Sequence, residues 1–354
     1  MIQLNKKSRL LLSALSGVLM IISFPYTGSL TLVVFLSWVP LLLIEDYISI
    51  KNYRSRKVFT NAYLAFFIYN FGTSWWVYNA SGGGAALAII LNSLLMAIAF
   101  QMYHVTKKHV GKKEGYISLF IYWIAFEYFH YNWEMSWTWL SLGNNFSITP
   151  EWVQWYSYTG VLGGSIWILL INLFIFRIYH NVLFKKESWR IQTPLIWTSI
   201  VFLIIPISIS LISYFKYTEK VNPIEVIAVQ PNIDPYNEKF VVGGEIEQLQ
   251  KIVDLAQTKI TKNTDLIVAP ETAISYGFNE NNVHNENTFN FLVDFQHKTN
   301  DIPWCIGAST YRTFEKSNSR ASRPLLHENG FYESYNTAMA LNSSNQVGFI
   351  HKSK

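Results

Sequence analysis

The chain has 354 residues, of which 50% are hydrophobic, 16% are aromatic and only 14% are charged. Soluble domains carry about 25% charged residues, and this composition excludes a disordered chain, a nucleic-acid-binding module and a disulfide scaffold. The net charge of +5 is uneven, because residues 1–215 hold 15 Lys and Arg against 7 Asp and Glu, whereas residues 216–354 hold 13 against 16. We therefore expect two chemically different domains, 1–215 and 221–354.

Residues 1–215 contain seven apolar runs that approach or reach about 20 residues, the length that a transmembrane helix requires. One such run alone is equally compatible with a buried helix of a soluble protein, but seven in series favour a membrane domain. The predicted spans are 9–24, 29–44, 58–77, 84–102, 116–131, 156–178 and 194–215.

The basic residues predict the orientation of this domain. All 15 Lys and Arg lie near the N-terminus or in or beside alternate connections, and the remaining connections carry none. Because basic loops stay in the cytoplasm, the N-terminus is predicted to be cytoplasmic, and seven crossings place the residues after 215 on the opposite side. Twelve of the 13 Trp residues lie in this domain, as expected for side chains at a bilayer interface.

A channel or transporter with an additional α/β domain is a rival interpretation. Such a protein would place paired ionisable residues inside its spans. Glu127 is the only ionisable residue that the sequence places well inside a predicted span, and no paired charges are expected there. His104, His109 and His130 lack the spacing of metal ligands, so no metal site is predicted.

From residue 221 the pattern changes to short apolar strands that alternate with helices. This alternation predicts an α/β domain with a central sheet. Strands are expected at 225–230, 265–269 and 303–308, helices at 244–260 and 287–298, and a hairpin from 335–341 with 347–352.

Glu271 follows the second predicted strand, in the segment 269–272 (APET). Sites in open α/β sheets gather at the carboxyl ends of strands, and a carboxylate in partly dry surroundings has the raised pKa that a general base needs. A solvent-exposed loop acid or a helix cap is the alternative, and it is favoured when this residue is considered alone. Residues 276–286 are expected to form an ordinary surface loop, with a mobile lid as the alternative.

Lys352 ends the last predicted strand. An ammonium held near a reacting carbonyl stabilises the oxyanion that develops there. A solvated basic residue is the ordinary role of such a position, so Lys352 alone says little about function.

The order of these motifs resembles the nitrilase, or carbon-nitrogen hydrolase, superfamily. That superfamily has an early strand, then a strand followed by Pro-Glu, then a hairpin that ends in Tyr-x-Lys-x-His-Leu. Residues 229–232 (VQPN), 270–273 (PETA) and 351–352 (HK) follow that order. Together with the membrane domain, the match narrows to the apolipoprotein N-acyltransferase family. Segments of that family's membrane half resemble residues 127–128 (EY), 136–143 (SWTWLSLG) and 160–165 (GVLGGS).

The resemblance implies a multi-span α-helical membrane domain followed by an incomplete α/β nitrilase-like (αββα) domain. It implies a bacterial cytoplasmic (inner) membrane protein, with the second domain on the periplasmic side of the lipid bilayer. The implied reaction transfers an acyl chain from a phospholipid, through a thioester, to the N-terminal cysteine amine of a diacylated lipoprotein, with no cofactor, metal or nucleic acid.

The resemblance also implies roles for individual residues. Glu271 is then the general base and Lys352 the oxyanion stabiliser. Phe240 stands near the position where the family often has a Trp at the mouth of the site, and is predicted to contact substrate. A core aromatic residue is the alternative for Phe240.

Cys305 is the only cysteine of the sequence. The resemblance places the nucleophilic cysteine after the strand that carries Lys352, whereas Cys305 lies earlier, inside the strand 303–308. We expect a small buried hydrophobic role for it, because a catalytic thiol needs an accessible and electropositive setting. The chain is therefore expected to be the N-terminal portion of an acyltransferase that is inactive alone. The rival within the superfamily is a membrane-tethered amidase that acts on a soluble amide.

Overall fold

The structure is a computed structural model that describes residues 4–133, 135–234, 237–241, 243–326, 329–344 and 346–352. The chain divides into two compact units, Met1–Glu219 and Lys220–Lys354. Each unit has a hydrophobic core of its own.

The first unit is α-helical. Polar side chains cap two of its helices, because the first N–H groups of a helix lack partners within it. Asn5 Oδ1 accepts a hydrogen bond from the N–H of Ser8 at 2.8 Å, and Ser81 Oγ accepts one from the N–H of Gly84 at 3.1 Å. Among the described residues its α-helices are α1 (Lys6–Ser23), α2 (Val39–Ile50), α3 (Arg56–Ser74), α4 (Gly82–His109), α5 (Lys112–His130), α6 (Tyr156–Leu183) and α7 (Thr193–Lys216).

Several of these helices have the length and apolar character of membrane spans. Three of the seven predicted spans, 9–24, 58–77 and 116–131, coincide with α1, α3 and α5. These helices are less apolar along their length, so seven crossings remain a prediction. The described residues of α7 bury only Ser199 and Ser210, and many of its apolar side chains are exposed, as in a helix largely surrounded by lipid. The four stretches long and apolar enough to cross a membrane are Thr31–Ile50, Gly82–His109, Tyr156–Leu183 and Trp189–Lys216.

A proline inside α7 creates a link to α6. Pro206 has no N–H, so the carbonyl oxygen of Phe202, four residues earlier, loses its helical partner. The indole Nε1 of Trp167 on α6 donates a hydrogen bond to this oxygen at 2.7 Å. Because water does not reach the hydrocarbon core of a bilayer, a free carbonyl there needs a donor from the protein.

The helices α2, α4 and α6 enclose a group of buried charged side chains. Lys107 Nζ lies 2.5 Å from Glu45 Oε2 and 3.0 Å from Asp46 Oδ1. His104 Nδ1 contacts Glu45 at 2.7 Å, and His180 Nε2 contacts Asp46 at 2.9 Å. These side chains lie beyond the predicted span ends at 44, 102 and 178, in apolar helical stretches that continue to Ile50, His109 and Leu183.

Glu127, predicted inside a span, is buried within a hydrogen-bonded network. Its Oε1 accepts hydrogen bonds from Trp123 Nε1 at 2.9 Å and from the N–H of Leu142 at 2.8 Å. The N–H of Gly143 donates to Ser165 Oγ at 3.0 Å. The three segments that carry the resemblance in this unit therefore meet in space and hold one another in place.

The second unit combines a mixed β-sheet with two α-helices. Its predicted strands, helices and hairpin are confirmed, but the strand predicted at 303–308 continues to Phe314 and the strand predicted at 335–341 begins at Phe331. Its elements are β1 (Glu225–Ala228), α8 (Glu245–Gln257), β2 (Thr264–Val268), β3 (Ile274–Asn279), α9 (Asn287–Lys298), β4 (Trp304–Phe314), β5 (Arg323–Pro324), β6 (Phe331–Leu341) and β7 (Val347–His351).

The sheet has the strand order β1-β2-β4-β6-β5, with β3 also paired to β4 and β7 to β6. The pairs among β1, β2, β3 and β4 are parallel, whereas β6 is antiparallel to its neighbours. The helices α8 and α9 share one core with the sheet. An αββα arrangement has two sheets, and the described residues form one, so the nitrilase-like fold remains a prediction.

Residues 276–286 differ from their prediction as a surface loop or lid. They contain most of β3, which pairs in parallel with β4, and a 3₁₀ segment, Glu280–Asn285, in which Glu280 and Val283 are buried. Pairing with a distant strand decides this structure, and local sequence does not reveal it.

Candidate active site

Glu271 lies in a short bulge between β2 and β3, two strands that both pair in parallel with β4. The two residues before Glu271 remain attached to β4, because the N–H of Ala269 donates to the Cys305 carbonyl at 2.9 Å and the N–H of Gly307 donates to the Pro270 carbonyl at 3.1 Å. The bulge passes so close to β4 that a Cβ atom at Gly307 would lie 2.5 Å from the Cα atom of Glu271. The absence of a side chain at position 307 therefore makes room for Glu271.

Two donors from the neighbouring hairpin reach the Glu271 carboxylate. Lys352 Nζ lies 2.9 Å from Glu271 Oε1, and Asn336 Nδ2 donates to the same oxygen. The N–H of Lys352 donates to the Asn336 carbonyl at 2.8 Å, which continues the pairing of β7 with β6. The fold thus brings together the two predicted site residues, and it adds Asn336, for which the sequence contains no signal.

The electrostatic setting of Glu271 differs from the sequence-based expectation. Hydrogen bonds from Lys352 and from Asn336 hold the pKa of Glu271 below its ordinary value. The side chains of Glu271 and Lys352 are 60% and 59% exposed, so the surroundings are not dry. The expected raised pKa was therefore wrong, because nearby donors stabilise the carboxylate and burial contributes little. Glu271 is ionised at neutral pH, the state in which a carboxylate accepts a proton.

A small cavity adjoins Glu271. It encloses about 190 Å³. Lys239 Nζ donates to Thr272 Oγ1 at the rim, and the Lys239 carbonyl accepts a hydrogen bond from Ser275 Oγ at 2.8 Å. A second ammonium thus lies beside the Glu271 segment. The residues that line the cavity are Gln230, Pro231, Asn232, Ile233, Lys239, Gln248, Pro270, Glu271, Thr272 and Ala273.

Phe240 is exposed over 62% of its surface, so the alternative of a core aromatic residue is wrong. Its carbonyl accepts a hydrogen bond from the hydroxyl of Tyr276 at 2.7 Å. The ring is not part of the cavity lining, although Lys239, next to it in the chain, is. A substrate contact by Phe240 remains a prediction.

A second carboxylate, Glu280, supports the strand that carries Lys352. Its Oε1 accepts hydrogen bonds from Thr310 Oγ1 at 2.5 Å and contacts His351 Nε2 at 2.8 Å, and its Oε2 pairs with Arg312 Nε at 2.6 Å. The His351 ring stacks on Tyr335, with centroids 3.8 Å apart. Glu280 therefore anchors the residue before Lys352. Glu280 was not predicted as a site residue, because residues 276–286 were expected to form a surface loop.

Cys305 lies in β4, where it pairs with Val268 and with Ala340. A buried side chain was expected, but Cys305 is half-buried. It lies on the sheet face opposite Trp304 and Ile306, which point into the core. Among the described residues its sulfur forms no hydrogen bond with Glu271 or Lys352. Anywhere within the residues that the structure describes, no group of three or more His, Cys, Asp or Glu residues is arranged to hold a metal ion.

Comparisons with known proteins identify the relatives of this chain. The family model for the apolipoprotein N-acyltransferase N-terminal domain matches residues 16–174, within the first unit. An apolipoprotein N-acyltransferase of Chlorobaculum tepidum is 28% identical, over 75% of this chain and 49% of that protein. One of Geobacter metallireducens is 26% identical, over 76% of this chain and 52% of that protein.

The two relatives align with the greater part of this chain, and the chain spans about half the length of the curated relatives it matches. The family model covers the membrane segments in which Glu127, Leu142 and Ser165 form one network. The chain is therefore similar to apolipoprotein N-acyltransferases over most of its length, and residues 16–174 match the N-terminal domain of that family.

Proposed function

We propose that this chain takes part in N-acyl transfer to lipoproteins. In the first step a thiolate attacks an ester carbonyl of a phospholipid, a thioester forms, and the lysophospholipid leaves with a proton on its oxygen. In the second step the N-terminal amine of a diacylated lipoprotein attacks the thioester, an amide forms, and the thiol is regenerated. Splitting one acyl transfer into two steps makes each of them easier.

Glu271 and Lys352 carry this proposal. A general base must accept the proton of the thiol, and later that of the amine, and an ionised carboxylate is suited to both. An ammonium beside it stabilises the negative oxygen of each tetrahedral intermediate. The contact of 2.9 Å between Lys352 Nζ and Glu271 Oε1 is the observation on which the proposal rests, because it joins an acid and an amine that are 81 residues apart.

We infer that Cys305 does not supply the thiol. It lies inside a paired strand, and the described residues near its sulfur provide no base in hydrogen-bond contact. The resemblance places the nucleophile after the strand that ends at Lys352, next to the two groups that would activate it. By this proposal, residues 1–354 alone do not form the thioester.

The proposed location follows from the charge distribution and the family. With the seven predicted crossings and a cytoplasmic N-terminus, the second unit is proposed to lie on the periplasmic side of a bacterial inner membrane. Lipoprotein and phospholipid substrates are both held in that membrane, so the second unit would meet them at its surface. Labelling of an engineered cysteine at exposed Lys262 by a membrane-impermeant reagent tests this placement.

A membrane-tethered amidase is the second candidate. The cavity beside Glu271 is small and is lined by several polar side chains, among them Gln230, Asn232 and Lys239, as the site for a soluble amide would be. The names of both relatives favour acyl transfer. The two candidates differ in their acyl donor, which an assay with phospholipid and with small amides distinguishes.

The experiment has a direct and a genetic part. Purified chain is incubated with phospholipid that carries a labelled acyl group, and protein-bound label is tested for release by hydroxylamine. We expect no labile adduct on Cys305, and the same result for Cys305→Ser. An adduct that Cys305→Ser abolishes would show that our assignment of the thiol is wrong.

In the genetic part, this chain is joined to the portion of the Chlorobaculum tepidum relative that follows its aligned region, where the resemblance places the thiol, and the fusion is expressed in bacteria depleted of their own N-acyltransferase. Mass spectrometry of lipoprotein N-termini measures the third acyl chain. We expect Glu271→Gln and Lys352→Met to abolish triacylation, and Lys262→Met, an exposed control, to retain it. Full triacylation with Glu271→Gln would exclude Glu271 as the base.

A further inference from the structure

A groove between α5 and α6 has a basic end and an apolar end. It encloses about 540 Å³. The rings of Tyr116 on α5 and Phe176 on α6 lie 6.2 Å apart, so the start of α5 lies beside the end of α6. The basic side chains that line the groove are those of Lys112, Lys113, Arg177 and Lys185. The apolar ones are those of Ile117, Phe120, Leu173 and Phe176.

The positive charge of this groove is not offset locally. The lining contains no Asp or Glu, and within the described part of the chain Lys112, Lys113 and Arg177 form no ion pair. Lys185 has only a long contact, 3.7 Å, with Glu187. The carboxylate of Asp46 lies behind His180, which lines the groove, and Asp46 is already paired with His180 and with Lys107.

The groove changes from cationic to apolar along the helix axis. Lys112 and Phe120 on α5 are eight residues apart, which corresponds to about 12 Å. On α6, Leu173 lies about one turn before Arg177. Ile117 is 52% exposed, so the groove opens sideways to the surroundings of the helices. A phospholipid has the same sequence of properties, from an anionic phosphate to an acyl chain.

We propose that this groove binds one anionic phospholipid. Its phosphate lies among the basic side chains and one acyl chain lies against Phe120 and Leu173. Basic pockets between membrane helices suit anionic headgroups, because each nearby Lys or Arg adds attraction. A soluble anion would leave the apolar end unfilled. The site belongs to the first unit and uses none of the residues assigned to acyl transfer, so it does not depend on the proposed function.

Native mass spectrometry of the detergent-purified chain tests the proposal. The chain is titrated with phosphatidylglycerol and with phosphatidylcholine that have identical acyl chains. We expect one phosphatidylglycerol to remain bound, and phosphatidylcholine to bind at least about tenfold more weakly. Replacement of three groove cations together, by Lys112→Gln, Lys113→Gln and Arg177→Gln, should weaken phosphatidylglycerol binding about tenfold or more.

A matched variant changes the same charge elsewhere. Lys51→Gln, Arg54→Gln and Arg56→Gln remove three exposed cations just before and at the start of α3, and should leave binding unchanged. Thermal unfolding establishes that both variants are folded. Equal weakening by both variants, or equal retention of the two lipids, would overturn the proposal. Full displacement of phosphatidylglycerol by millimolar inorganic phosphate would also overturn it, because a phosphate site alone would then explain the binding.

Discussion

Each unit pairs a carboxylate with a lysine, and the two pairs differ mainly in their access to water. Glu45 and Lys107 are 0% and 2% exposed, whereas Glu271 and Lys352 are 60% and 59% exposed. Burial removes water from both charges, so each buried partner depends on the other for its solvation. An exposed pair keeps water and is worth little to stability. The buried pair is therefore expected to be structural, whereas the exposed pair can exchange its partner for another group at little cost in stability.

Glu280 lies between these extremes. Its side chain is 1% exposed, whereas the side chains of its partners Arg312 and His351 are 43% and 26% exposed. It resembles the buried pair in its own burial and the exposed pair in its position beside the candidate site. Four predictions follow, in order of the loss of stability that we expect. They test which of these carboxylates and close contacts stabilise the fold.

The largest effect is expected for Lys107→Met. The change leaves Glu45 and Asp46 buried without their shared cation, which costs about 3–5 kcal/mol in the free energy of unfolding. Denaturant unfolding in detergent micelles measures it. Lys108→Met is the control, because Lys108 is exposed. Equal losses for the two variants would mean that the buried pair is not structural.

Gly307→Ala should have the next largest effect. The added Cβ would lie 2.5 Å from the Glu271 Cα atom, so the bulge or β4 must move, at about 1–3 kcal/mol. Thermal unfolding measures the loss. Gly348→Ala adds a Cβ where no atom lies within 4 Å, and should change stability by less than about 0.5 kcal/mol. If Gly307→Ala is as mild as this control, the close approach of Glu271 to β4 is not required.

Glu280→Gln should cost about 1–3 kcal/mol at neutral pH, because it weakens hydrogen bonds to a buried acceptor. Burial raises the pKa of Glu280, but hydrogen bonds from Thr310, His351 and Arg312 outweigh it and hold the pKa below 4.5. A lowered folded-state pKa contributes stability above pH 4.5, and the contribution is lost as the pH falls through the folded-state value.

The difference in stability between the wild type and Glu280→Gln should therefore shrink on acidification. Unfolding midpoints between pH 3 and pH 7 measure it, with exposed Glu315→Gln as the control. A difference that grows as the pH falls would contradict the assigned direction of the pKa shift.

Lys352→Met should have the smallest effect on stability, below about 1 kcal/mol, because its ion pair is exposed. The same variant should abolish lipoprotein acylation in the genetic experiment above. The pKa of Glu271 should rise toward its ordinary value, because the Lys352 ammonium no longer donates a hydrogen bond to its carboxylate. A destabilisation as large as that of Lys107→Met would mean that this pair is structural.

Local patterns were sufficient for much of the second unit. The apolar spacing of residues 244–260 predicted α8, and the β-branched runs predicted β1, β2 and the start of β4. The resemblance selected Glu271 and Lys352, which the fold brings into contact. In each case the signal lies within a few neighbouring residues or in a short motif.

The missing features depend on contacts between distant residues. Glu45 and Lys107 are 62 residues apart, and Glu280 and His351 are 71 residues apart. No local periodicity identifies such partners before the helices and strands are packed. Asn336 was missed for the same reason, because an amide in a strand has no special meaning until the register places it beside Glu271.

The proline of α7 has a consequence for how this helix can vary. Pro206 leaves the Phe202 oxygen unpaired, and the Trp167 indole uses that oxygen to join two helices. Replacing Pro206 with Ala would restore an N–H that competes for this oxygen. The hydrogen bond from Trp167 would then weaken, and α7 would bind less tightly to α6. A residue that weakens a helix in isolation thus strengthens an assembly of helices, and selection for a regular α7 would work against its attachment.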